Sequence, residues 1–200
     1  MRLRPGALVV LEGLDRAGKS TQQAAFARVR WDPPEPLLVH MPSGLTDLTQ
    51  ALYRITEQQS ISSPLARQLL HLACHAENLP LLVEARRSSG VILDRWWWST
   101  VAYGWFGADL RTKMAESAFF GAIDLVWGGV RADVLFLFLS SFDDDPHNLP
   151  PVVEGYKWLA EQQPDLAVEV PVLKPDETFA FLTNELRRRS LIEVDPYPSS

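Results

Sequence analysis

The stretch Gly13-Leu14-Asp15-Arg16-Ala17-Gly18-Lys19-Ser20 decides the reading of this chain. Its Gly-x4-Gly-Lys-Ser spacing is that of a phosphate-binding loop. Glycines let the backbone curl until several N–H groups point at one phosphate. A helix that follows adds its positive N-terminal end. Lys19 is then placed to reach the β- and γ-phosphates of a nucleoside triphosphate, with Ser20 as a ligand for Mg²⁺ and Thr21 beside it. A chance glycine turn lacks the surroundings found here. Residues 7–11 form a short apolar run suited to a strand buried on both faces, and 20–30 read as a helix. Arg16 adds a second charge inside the loop. It is either a built-in arginine finger for the transferred phosphoryl group or a solvent-facing side chain. Asp15 either bonds a sugar hydroxyl or caps the loop.

Working outward, apolar runs at 37–39, 91–93, 134–139 and 167–172 are further strand candidates. Helical spacing covers 47–56, with Leu48, Leu52 and Ile55 on one face. A long helix begins at Pro64, and Pro80 is expected to bend or divide it before it ends near Ser89-Gly90. Helices are expected over 96–106, 110–123, 152–163 and 176–189. Alternation of strands and helices argues for an α/β domain of three layers with a mostly parallel sheet. We expect one domain over 1–195 and a frayed tail at 196–200.

The chain has 200 residues, a net charge of −6 and a single cysteine, Cys74. The charge gives no general attraction to nucleic acid or anionic membrane. The basic run Arg187-Arg188-Arg189 reads as the solvated end of a helix. One cysteine cannot form an intrachain disulfide, which is compatible with a reducing compartment. The apolar run behind Met1-Arg2-Leu3-Arg4 passes directly into Glu12 and the loop, without a secretory cleavage pattern. A soluble cytoplasmic enzyme is the expectation.

Two motifs together resemble the thymidylate kinase family. The first is Leu11-Glu12-Gly13-Leu14-Asp15-Arg16-Ala17-Gly18-Lys19-Ser20-Thr21-Gln22, in the form with an arginine inside the loop. The second is Val91-Ile92-Leu93-Asp94-Arg95-Trp96, followed by Ser99 and Val101-Ala102-Tyr103. The resemblance implies a P-loop kinase fold with a five-stranded parallel sheet flanked by helices. It also implies ATP, Mg²⁺, a nucleoside 5′-monophosphate acceptor and commonly a homodimer. Carried over by position, Asp94 organises Mg²⁺ and its waters, Arg95 binds the acceptor phosphate, Tyr103 packs under the sugar and Asp15 contacts its 3′-hydroxyl.

The chain departs from that family in three places. His40-Met41-Pro42-Ser43-Gly44 lacks the arginine that grips the acceptor phosphate. His71 and His75 stand where the base pocket commonly has phenylalanine and arginine. The segment 140–151, where the family has a lid, carries Asp143, Asp144 and Asp145 but no arginine or lysine. That acidic segment either folds away, ligates Mg²⁺ indirectly or marks a changed donor site. His71 and His75 share a helix face, but with Cys74 turned away no further metal ligand is evident. Trp96 is expected near the acceptor, and Trp97 or Trp98 in a dimer contact. Three readings remain open: transfer to a (deoxy)pyrimidine monophosphate such as dTMP; the same fold with another acceptor (a modified pyrimidine nucleotide, dCMP, dUMP or a nucleoside); and a nucleotide-binding regulator without kinase activity.

Overall fold

The computed structural model describes residues 1–193, so the tail at 196–200 and the domain end at 195 lie outside the described residues. A two-residue strand, β1 (Arg2–Leu3), pairs antiparallel with β7 (Ile192–Glu193) and ties the two ends of the described chain together. The central sheet holds β2 (Leu8–Gly13), β3 (Leu37–His40), β4 (Val91–Asp94), β5 (Val134–Phe138) and β6 (Ala167–Glu169). Its order is β3-β4-β2-β5-β6, and every pairing is parallel. All residues of β2, β4 and β5 are buried, as strands covered on both faces must be.

Helices α1 (Lys19–Ala27), α2 (Asp47–Gln58), α3 (Pro64–Ser88), α5 (Glu116–Trp127) and α6 (Pro150–Gln162) each span nine residues or more. So does α7 (Pro175–Arg188), whose last turn carries Arg187 and Arg188. Glu185 accepts from both Arg188 and Arg189, so that basic run is partly paired along its own helix. Ser63 caps α3 by accepting from the Ala66 N–H at 3.2 Å, a typical helix start. Contrary to expectation, Pro80 does not divide α3, which runs unbroken past it.

The largest departure from expectation lies between β4 and α5. Only α4 (Trp97–Ser99) is α-helical, and it continues as a π-helix over Thr100–Gly107. Packing explains the wider turn. A Cβ on Gly155 of α6 would lie 2.8 Å from Phe106 Cδ2 and 3.0 Å from Ala102 Cα. The π-helix and α6 thus meet almost backbone to backbone, and π-turns cluster at functional sites. Residues 110–115 form a 3₁₀ turn (Leu110–Thr112) and a break before α5, rather than one helix. The expected strand 167–172 ends early, at Glu169. Trp98 has no exposed surface and lies in this chain's own core rather than in a dimer contact. Trp97 is half-buried against the same core. Among the described residues, no helix is long and apolar enough to cross a membrane.

Candidate active site

The strand order reverses at β2, with β4 on one side and β5 on the other. Open α/β sheets bind ligands outside the carboxyl ends of their strands at such a point. The register brings Gly13 beside Phe138, and Asp94 beside both Leu11 and His40. Two clefts open there, of about 500 and 530 Å³.

The first cleft lies over the phosphate loop and includes residues 15–22 in its walls. Gly13 has φ 128, and a Cβ there would fall 2.1 Å from the Phe138 carbonyl oxygen, so only glycine fits. Gly18, at φ 95, opens α1, and the buried Ala17 packs between. Lys19 is buried, and its ammonium donates to the carbonyls of Gly13 at 3.1 Å and Leu14 at 2.5 Å. Burial and the nearby Arg95 lower Lys19 to about 8, with Asp94 and Asp15 opposing, so it stays charged at neutral pH. The Ser20 hydroxyl donates to Asp94 Oδ2 at 3.4 Å. Asp94 Oδ1 is buried and has no partner. Two oxygen side chains with a spare carboxylate oxygen suit Mg²⁺, which takes one or two protein ligands and completes its shell with water and phosphate. Among the described residues no three of His, Cys, Asp or Glu gather into a protein-only metal cage.

The second cleft is lined by α3, the π-helix and the end of β3. It shares Asp15, His40, Tyr53 and Arg95 with the first. Arg95 has φ 70, a left-handed backbone that side chains other than glycine seldom adopt. Its guanidinium pairs with Asp15, donates to Ser99 Oγ at 3.0 Å and lies 5.5 Å from the centre of the Tyr103 ring. Tyr103 in turn donates to Asp15 Oδ2 at 3.2 Å. Burial raises the Tyr103 hydroxyl above its ordinary value, keeping it neutral and a donor. The structure therefore brings Asp15, Arg95, Ser99 and Tyr103 into one bonded group.

The histidines behave differently from one another. His40 lies at the junction with its Nδ1 3.1 Å from Ser43 Oγ, and burial keeps it neutral. His71 and His75 both line the second cleft, as does Trp96. Burial lowers His71 to about 4 and His75 to about 3. His75 Nδ1 accepts from the Trp127 indole N–H at 3.1 Å, so its proton sits on Nε2. Neither histidine replaces the positive charge of an arginine.

Glu12 was part of the first motif, but the sequence assigned it no role. It is fully buried at the end of β2. It accepts from the N–H groups of Trp96 at 2.7 Å and Ser99 at 3.0 Å, from the Ser99 hydroxyl at 2.7 Å and from Tyr156 at 3.1 Å. Burial raises its pKa, opposed by Ser99 and the charge of Arg95. Glu12 thus anchors the chain immediately after Arg95, next to its left-handed backbone. A lone carboxylate closing an otherwise apolar strand was the available signal.

The acidic segment folds onto the phosphate loop rather than away from it. Asp145 pairs with Arg16 Nε at 3.2 Å, and Arg16 Nη1 donates to the Asp144 carbonyl at 3.3 Å. The Phe142 N–H donates to the Arg16 carbonyl at 3.1 Å. Asp143 lines the first cleft and His147 the second. Asn148 bonds the main chain of Asp15. Arg16 is more than half exposed, yet it lines the first cleft with its charge already paired to Asp145.

A family model described as thymidylate kinase matches residues 11–126, more than half of the chain. The chain belongs to the thymidylate kinase family. Among similar proteins, a thymidylate kinase of Chlorobium luteolum is 31% identical over 132 residues, 64% of this chain and 60% of that one. A probable thymidylate kinase of Pyrococcus horikoshii is 29% identical over 178 residues, 82% of this chain and 87% of its own. The human thymidylate kinase is 35% identical over 106 residues, about half of each chain. The match to the Chlorobium luteolum relative thus spans less than two thirds of that protein's length. The crystal structure of a thymidylate kinase from Ehrlichia chaffeensis superposes with a TM-score of 0.75, covering 90% of this chain and 98% of its own at 22% identity. That likeness establishes the family fold. The family match ends before β5, so the acidic segment and α6 lie beyond it.

Proposed function

We propose that this chain is an ATP-dependent nucleotide kinase that transfers the γ-phosphoryl group of ATP to a (deoxy)pyrimidine 5′-monophosphate such as dTMP. The observation that carries this reading is the meeting of two clefts at Asp15 and Arg95, with Lys19 and Arg16 on the donor side. A protein that only binds one nucleotide needs one cleft. Two clefts with a cationic junction suit a reaction between two phosphate-bearing molecules, whose repulsion must be offset by charges placed in advance. The family name of the relatives supports dTMP as the acceptor.

In this reading the loop N–H groups and Lys19 hold the β- and γ-phosphates, and Arg95 holds the acceptor phosphate. Arg16 exchanges Asp145 for the transferred group and spreads its charge. An acceptor phosphate oxygen attacks the γ-phosphorus in line with the departing ADP, so no covalent enzyme intermediate forms. Ser20 and Asp94 would hold Mg²⁺, which supplies charge neutralisation at the β- and γ-phosphates when bound. Neutral His71 and His75 offer hydrogen bonding and ring surface to a base, without an arginine's charge. Exposed Leu69, Leu81 and Leu125 on α3 and α5 support a homodimer, which sedimentation would test. A cytoplasmic setting, with no nucleic-acid or membrane partner, completes the reading.

The test is ADP release across all common ribo- and deoxyribonucleoside monophosphates. Preference for dTMP is expected. Turnover with dCMP, dUMP or a nucleoside but not dTMP would move the acceptor. No turnover with any acceptor would overturn the kinase reading.

A further inference from the structure

Asn148 closes the acidic segment and lies beyond the stretch matched by the family model. Its Oδ1 accepts from the Asp15 main-chain N–H at 2.9 Å, and its Nδ2 donates to the Asp15 carbonyl at 2.8 Å. This closed two-bond pairing is possible in only one orientation of the amide. The Tyr103 hydroxyl lies 3.4 Å from the same Oδ1. Ser141 adds a bond from its hydroxyl to the Asp15 carbonyl at 3.0 Å. With Arg95 on one carboxylate oxygen and Tyr103 on the other, every polar atom of Asp15 has a neighbour holding it.

The physical need for such a clamp follows from the loop itself. Asp15 sits between Gly13 and Arg16, both at positive φ, where no strand or helix ladder fixes the chain. An unpaired main-chain N–H and C=O at that point would leave the carboxylate free to swing. The side-chain amide of Asn148 supplies what a neighbouring strand supplies elsewhere. Residues 18–20 need no such help, because Gly18 and the start of α1 fix them.

We propose that Asn148 is a positioning residue for the acceptor. It sets the Asp15 main chain so that the Asp15 carboxylate and Tyr103 face the sugar of the bound monophosphate, while the triphosphate cradle is set independently. This rests on the proposed function for the identity of the two substrates. It separates from a role in merely pinning the segment. Loosening 140–148 as a whole would also disturb Phe142 and Asp143, which line the donor cleft, and would affect both substrates alike.

The experiment uses the full chain with Asn148→Ala, and with Asn148→Ser should the first variant fail to fold. Steady-state kinetics are measured for ATP, for the preferred monophosphate and for its 3′-deoxy analogue. The acceptor KM should rise about tenfold while the ATP KM stays within about twofold, the scale of one lost hydrogen bond. The penalty that the wild type shows for losing the 3′-hydroxyl should shrink in the variant. Equal rises in both KM values, or an unchanged acceptor KM, would overturn the proposal. Amide hydrogen exchange at Asp15 gives a second readout that needs no turnover. Faster exchange in the variant at an unchanged melting temperature supports the clamp, and unchanged exchange overturns it. Should the wild type phosphorylate no monophosphate, the proposed function fails while exchange still decides the role of Asn148.

Discussion

The donor and acceptor clefts are nearly equal in volume but are encoded in different ways. The donor cleft draws its phosphate cradle from one continuous stretch, residues 15–22, around which other elements supply the remaining walls. The acceptor cleft collects side chains from α2, α3, the π-helix, β3, the acidic segment and α6. A site made by one stretch of chain is specified locally and survives divergence around it. A site made by many separate elements changes whenever any one of them repacks. That is where His71 and His75 stand in this chain.

The contrast can be broken most forcefully at Lys19. Lys19→Ala should lower phosphoryl transfer about a thousandfold while the melting temperature changes little, the scale seen when a preorganised charge-stabilising group is removed. An equal loss from Lys19→Ala and from substitutions around the acceptor base would erase the distinction between the two halves. At Gly13 the penalty should fall on folding. Gly13→Ala drives a Cβ against the Phe138 carbonyl at 2.1 Å and should cost more than about 3 kcal/mol in denaturant unfolding. Full stability in that variant would mean that the loop is less constrained than its φ of 128 indicates.

His75 sharpens the comparison on the acceptor side. Its folded pKa of about 3 lies below the ordinary 6.5, because burial disfavours the imidazolium. Between those values the unfolded chain binds more protons, so stability is fullest above pH 6.5 and is lost as the pH falls toward 3. Protonation also removes the acceptor used by Trp127. His75→Gln should therefore flatten the acid side of a melting-temperature profile relative to wild type. An unchanged slope would show that His75 is not a source of the acid sensitivity. Smallest of all is Asp145→Ala. Arg16 is more than half exposed, so losing this ion pair should change stability by less than about 1 kcal/mol in the same unfolding assay.

The same division explains what could be read from the chain before its structure. Residues 7–20 were legible because a both-faces-buried strand, a glycine loop and a helix start each leave a local signature. Asp94-Arg95 was legible for the same reason, at the end of an apolar run. The π-helix was not. Its turn width is set by how closely Gly155 lets α6 approach Ala102 and Phe106, which no local pattern in Thr100–Gly107 records. Pro80 does not divide α3 because a single missing N–H is tolerated in a long helix held along its length by packing. The acidic segment was read by its charges, whereas its placement depends on Asp145, Phe142 and Asn148 meeting a loop more than a hundred residues earlier. Nothing in Asp143-Asp144-Asp145 reveals that one carboxylate is spoken for by Arg16.

The most direct measurement is transfer of radiolabel from γ-labelled ATP to dTMP by the wild type and by a folded Lys19→Ala variant. Labelled dTDP from the wild type, reduced about a thousandfold in the variant, is the expected result. Absence of labelled dTDP from a folded wild-type protein, or equal transfer by both proteins, would contradict it.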